Sequence, residues 1–153
     1  MGPELSQPTD LAREGELRSV ARALHRLDEV HRRLRNTIAA SQALSGSELS
    51  ALFVLSDTGG MHRADLANEL GISRGAVSGL LDQLQDAGLT HAALSPTSGG
   101  RERHVLTPAG DRVMTTVRAS YLRALRTTDS SLRVPGVVAY LDMLSERIER
   151  HQE

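Results

Sequence analysis

Between residues 73 and 79 the chain reads SRGAVSG: one cation, Arg74, with hydroxyls at Ser73 and Ser78 and bare backbone at Gly75 and Gly79. Arginine forks onto a phosphate or a guanine edge, and a serine hydroxyl both donates and accepts. Glycine removes the bulk that would hold a partner at a distance. Inside a helix it costs about 1 kcal/mol relative to alanine, so two in one stretch call for a use of exposed backbone. Arg63, Arg101 and Arg103 supply further cations on either side. The chemistry these types suit is non-covalent recognition of an anionic partner. Catalysis is not expected, because the sequence carries no nucleophile motif, no phosphate-cradling glycine loop and no cluster of metal ligands.

Two short helices position that group. Leu66, Ala67 and Leu70 line one side of a first helix, Gly71 reverses the chain and Ile72 plugs the angle. Ser73 offers an oxygen to cap a second helix, whose buried face is Val77, Leu80, Leu81 and Leu84. This is a helix-turn-helix, with Arg74, Gly75, Ser78 and Gly79 outward on the second helix and Asp82 and Gln83 beyond. The amino-terminal part of such a helix enters the DNA major groove. Small residues let it come close, and its amino terminus favours a phosphate. LTHAALS (89–95), PTSGG (96–100) and RERHVL (101–106) then read as strand, turn and strand. A hairpin directly after a helix-turn-helix is a wing, and Arg101 and Arg103 stand where the minor groove's negative potential rewards arginine. Arg63, opening the first helix of the motif, suits the DNA backbone.

The flanks are longer helices. From Ala12 to about Ser41, Leu17, Val20, Leu24, Leu27, His31, Leu34 and Ile38 repeat at spacings of 3 and 4, a heptad seam. Seven arginines and four acids surround it. LSGSELSALFVLSDTGG supplies a cap-like serine, a short apolar helix to Leu55 and a stop at Gly59-Gly60. After the hairpin, Thr107 as N-cap and Pro108 at the first helical position open a helix with Val113, Val117, Tyr121 and Leu125 on one face. SSLRVPG breaks it, and a last helix from about Val137 to Arg150 carries Val137, Leu141, Leu144, Ile148 and His151. Seams this long exceed what so short a chain covers. Leu17, Val20, Leu24, Leu141, Leu144 and Ile148 are therefore expected at a dimer interface.

Composition narrows the classes further. A chain of 153 residues with 39% apolar but only 2% aromatic residues must build its core from aliphatic side chains. The absence of cysteine excludes a disulfide framework, a thiolate metal site and a thiol redox switch. All 18 basic residues are arginine, yet the net charge is −1, so no global basic field marks a nucleic-acid partner. Between Met61 and Arg112, five arginines face six acids, and Asp65, Glu69, Asp82 and Asp86 must mostly point away from a phosphate backbone. The six histidines have no H-x-x-x-H spacing; His25 and His31 are six apart, and His91 and His104 read as neighbours across the hairpin. No cofactor or metal is expected. A polar amino terminus and no long apolar run give the expectation of a cytoplasmic protein without a membrane partner.

The stretch LANELGISRGAVSGLLDQLQDAGLTHAALSPTSGGRERHVLTPAG, residues 66–110, resembles the winged helix of the MarR family of transcriptional regulators. The long first helix and the two last helices match that family's dimerisation region, so the likeness covers about residues 14–150. It implies a mainly α fold with a small β-hairpin wing, a winged helix-turn-helix flanked by amino- and carboxy-terminal dimerisation helices. The divisions are a flexible tail at 1–12, a helical dimerisation region at 13–45 and 113–153, and a DNA-binding domain at 46–112. It also implies a homodimer on a pseudo-palindromic double-stranded operator, in which Ser73, Arg74, Gly75, Ser78 and Gly79 face DNA. A repressor relieved by a small aromatic or anionic effector is typical of the family. Two departures stand out: the wing lacks the family's frequent aspartate, and Gly79 replaces a larger polar side chain. The alternative reading is a helical dimeric protein-interaction module that keeps the fold without specific DNA binding.

Overall fold

Ser45 and Glu48 cap one another: the Ser45 hydroxyl accepts from the Glu48 amide at 3.2 Å, and the Glu48 carboxylate accepts from the Ser45 amide at 2.7 Å. This capping box satisfies orphan amides at a helix start and opens α2 (Gly46–Thr58). Before it lies α1 (Pro8–Ser41), and the two axes meet at 91°. The computed structural model describes residues 8–94, 102–126 and 134–150, with side chains over 13–94, 102–126 and 136–150. Helix α1 thus starts four residues before the expected Ala12, with Pro8 at a position where its missing amide costs nothing. The remainder of the expected tail, the turn at 96–100 and Arg101 lie outside the described residues.

The chain divides into two compact units, Met1–Thr115 and Thr116–Glu153. In the first, α2 is followed by α3 (Arg63–Leu70), α4 (Arg74–Asp86), β1 (Thr90–Leu94), β2 (Glu102–Leu106) and the beginning of α5 (Pro108–Leu125). The core is aliphatic, as composition requires: Leu49, Leu52 and Leu55 of α2, Leu66 of α3, and Val77, Leu81 and Leu84 of α4 are fully buried, with Met114 of α5. Leu66 and Ala67 are buried and Gly71 takes a left-handed φ of +62°, which reverses the chain between α3 and α4. Ser73 caps α4, its hydroxyl accepting from the Ala76 amide at 3.2 Å.

Strands β1 and β2 pair antiparallel, Thr90 with Leu106 through Leu94 with Glu102. This register places His91 opposite Val105 and His104 opposite Ala92, so the two histidines point to opposite faces. His91 is exposed and His104 is 1% exposed; they do not face one another as expected. The hairpin also gains a third partner. Met61, between α2 and α3, bridges His104 by two amide–carbonyl bonds of 2.9 Å. After β2, Thr107 accepts from the Gly110 amide at 3.1 Å and so caps α5, as the sequence implies. Gly110 is needed for a different reason: a Cβ there would collide with the Leu89 carbonyl.

The second unit contains the rest of α5 and α6 (Val134–Glu149), which begins three residues earlier than the pattern suggested. In α6 Leu141 is 40% and Ile148 50% exposed, and Leu144 is half-buried. On α1, in the first unit, burial along the heptad seam is uneven: Leu17 is 62% and Leu27 54% exposed, His31 is exposed too, Val20, Leu24 and Leu34 are half-buried, and only Ile38 reaches the core beside α2. Glu14–Arg18, Glu29–Arg32 and Glu29–Arg33 ion pairs decorate the exposed sides of α1 and add little stability in water. No single helix among the described residues is long and apolar enough to cross a membrane.

Candidate nucleic-acid interface

The amino ends of α3 and α4 and the first residue of β2 enclose an open hollow of about 350 Å³, lined by His62, Arg63, Ala64, Arg74, Ser78 and Glu102. The local helix chemistry explains who lines it. Val77, Leu80, Leu81 and Leu84 pin α4 to the core through one face. On the opposite face Arg74, Gly75 and Gly79 are exposed, while Ser78 is half-buried at the edge. Arg74 has no side-chain partner among the described residues, so its five donors stay available.

Arg63 reaches across from α3. Its Nη1 donates to the Ser78 hydroxyl at 3.2 Å, and that hydroxyl donates to the Arg74 carbonyl at 2.9 Å. The hydroxyl is therefore oriented, and a cation is held beside the amino-terminal turn of α4. His62 Nδ1 donates to the Glu102 carbonyl at 2.7 Å, closing the hollow on the hairpin side. Glu102 adds one acid to two arginines there. Asp65, Glu69, Asp82 and Asp86 are all exposed.

The two glycines of α4 are the informative part. A Cβ on Gly79 would meet nothing within 4 Å, and one on Gly75 would only touch the Ser73 hydroxyl at 4.0 Å. Neither has a positive φ. Among the described residues nothing requires glycine at either position, and both leave bare backbone on the face that carries Arg74.

Arg103 behaves differently from the other cations singled out in the sequence. Its Nε donates to the Gly60 carbonyl at 2.9 Å and its Nη2 to the Thr58 carbonyl at 3.2 Å, with a further bond from Nη2 to Gly60. Its donors turn toward the end of α2. Arg101, its companion in the sequence reading, lies outside the described residues.

His104, which the sequence offers only as a candidate metal ligand, sits under the hairpin with Nδ1 buried and unpartnered. Burial chiefly, and then the nearby Arg63 charge, lower its pKa below the usual histidine range, against weaker opposite pulls from Glu102 and Asp82. The strand pattern alone holds the signal, since its alternation places His104 inward. Among the described residues no three histidine or carboxylate side chains gather as a metal site would need.

Comparison with known proteins agrees with this geometry. Residues 44–99 match the MarR family model. A MarR family transcriptional regulator from Silicibacter pomeroyi shares 21% identity over 99% of this chain and 98% of its own, with a TM-score of 0.76. CouR from Rhodococcus jostii bound to p-coumaroyl-CoA shares 20% over 82% and 88%, with a TM-score of 0.69. Apo MarR from E. coli shares 16% over 84% and 95%, with a TM-score of 0.60. A search of curated proteins gives no match.

Proposed function

With residues 44–99 of MarR-family sequence and the chain folded as a MarR-type winged helix, we propose that it acts as a homodimeric, DNA-binding transcriptional regulator of the cytoplasm, a repressor released from its operator by a small molecule. The observation that carries the reading is the outer face of α4. There Gly75 and Gly79 leave open backbone that no contact among the described residues uses, beside an Arg74 with no side-chain partner among them and a Ser78 oriented by Arg63. Such a face fits a duplex groove, with Arg74 and Ser78 at base edges or phosphates and Arg63 at the backbone.

Dimerisation supplies what one copy lacks. Leu17, Leu141 and Ile148 are left exposed, and Val20, Leu24 and Leu144 half-buried, in the single chain. Covering them with a second copy would bring two α4 helices to half-sites about one helical turn apart and double contacts that are few per protomer. An aromatic or anionic effector is suggested by the coenzyme A ester bound to CouR; a ligand that prefers one spacing of the two reading heads would shift the population away from DNA.

The balance of five arginines and six acids from Met61 to Arg112 favours the second reading, a dimeric protein-interaction module. One measurement separates the two. Binding to a duplex carrying the gene's own promoter, titrated against salt, should show sequence preference and a steep fall of affinity with salt. Equal, weak binding to every duplex would leave only the interaction module.

A further inference from the structure

Three successive residues of β2 are tied to the five-residue stretch from Thr58 to His62. The Glu102 carbonyl accepts from His62 Nδ1, the Arg103 guanidinium spans the Thr58 and Gly60 carbonyls, and His104 exchanges two backbone hydrogen bonds with Met61. We propose that Arg103 is a positioning residue of the wing: it clasps the hairpin to the end of α2 and does not itself enter a groove of DNA.

The partners of Arg103 explain the choice of residue. Thr58 is the last residue of α2, where carbonyls lack intrahelical donors and the helix dipole is negative. A cation that donates there is favoured by charge and by hydrogen bonding together. The planar guanidinium also spans two acceptors, which a lysine ammonium does with less geometric control. Gly60 makes the approach possible. Its φ is +113°, and a Cβ would press on Val105 and on the His104 carbonyl, 2.7 Å away. Arg103 is only half-buried, so water weakens the clasp without abolishing it. In a wing that lacks the family's frequent aspartate, a cation on backbone carbonyls performs the bracing.

The consequence for DNA rests on the proposed function above: Arg103 would affect affinity through wing placement and not through its charge. The full-length protein, free of DNA, is first followed by amide hydrogen exchange at Met61 and His104. Arg103→Ala and Arg103→Lys should both speed exchange there, roughly tenfold for Ala, with α1 and α2 amides unchanged. Promoter binding is then titrated against salt. Arg74→Ala should flatten the salt dependence by about one unit per protomer. Arg103→Lys should weaken binding with the salt dependence intact. Amides protected as in the wild type in both variants overturn the clasp. So does recovery of full affinity by Arg103→Lys together with a flattened dependence in Arg103→Ala, the pattern of a direct charge contact. Should the wild type bind no duplex, the DNA reading fails alone, and the exchange data still decide the role of Arg103.

Discussion

Two pairs of glycines divide this molecule. Gly60 and Gly110 sit at the base of the wing, where a Cβ would strike neighbouring side chain or carbonyl atoms. Gly75 and Gly79 lie on the outer face of α4, where a Cβ would meet open space. The first pair is explained by the fold, and the second is left over once the fold has been explained. Glycine needed inside the molecule reports close packing. Gly15 of α1 and Gly136 of α6 also meet open space, so openness alone marks no site; Gly75 and Gly79 differ in sharing one helix face with Arg74, where their cost to helix stability has a use.

The contrast can be broken most directly at the crowded pair. Gly110→Ala should destabilise the winged unit by about 3 kcal/mol or more, the range for a backbone collision without room to relax, read as a lowered denaturation midpoint in urea. A loss under about 1 kcal/mol would show that Leu89 moves aside and that the two pairs are not different in kind.

Arg74→Ala tests the open side by charge. Stability and dimer should be unchanged, while promoter affinity falls by about 1–3 kcal/mol. Unchanged affinity in a fluorescence-anisotropy titration would place the reading face elsewhere.

The crowded side should also respond to acid, through His104. Its native pKa is depressed, chiefly by burial, so the unfolded chain takes up a proton at higher pH than the native one does. Stability is therefore complete above pH 6.5, the ordinary histidine value, and falls as the pH drops from there toward the lowered native value. The loss is at most about 1.4 kcal/mol per pH unit. Unfolding curves between pH 7 and 5 should show a slope that His104→Leu reduces; an identical slope in the variant would assign the acid response to other groups.

The smallest effect is the most telling. Gly79→Ala should raise helix stability by about 0.5–1 kcal/mol and yet weaken promoter binding. A variant that gains both stability and affinity would remove the reason given for the glycine.

Much of this was readable before the fold was known. The Ser73 cap, the Gly71 reversal, the buried leucines of α4 and the Thr107–Pro108 start of α5 all depend on side-chain type at fixed local spacing. That information is carried by neighbouring residues. The roles of Arg103 and Gly60 were not readable, because the partners of Arg103 are backbone carbonyls more than forty positions away. A carbonyl has no letter of its own in the sequence, so an arginine that binds one looks the same as an arginine facing a groove. His91 and His104 were misjudged for a related reason. A one-residue difference in register turns neighbours into residues on opposite faces, and the pattern of RERHVL does not fix the register to one residue.

The bridge from Met61 to His104 has a bearing on how the chain reaches this state. It and the Arg103 bonds beside it close a loop of 43 residues, whereas the turns and caps joining α2, α3 and α4 form between near neighbours. Loop closure must precede any reward from such distant contacts, so the helices should assemble early and the wing should be fastened last. Bonds absent from the folding transition state govern the rate of opening, not the rate of folding. In stopped-flow kinetics, loosening Arg103 should therefore leave the folding limb almost unmoved and steepen the loss of the native state, making the wing the part of the molecule that sets its lifetime.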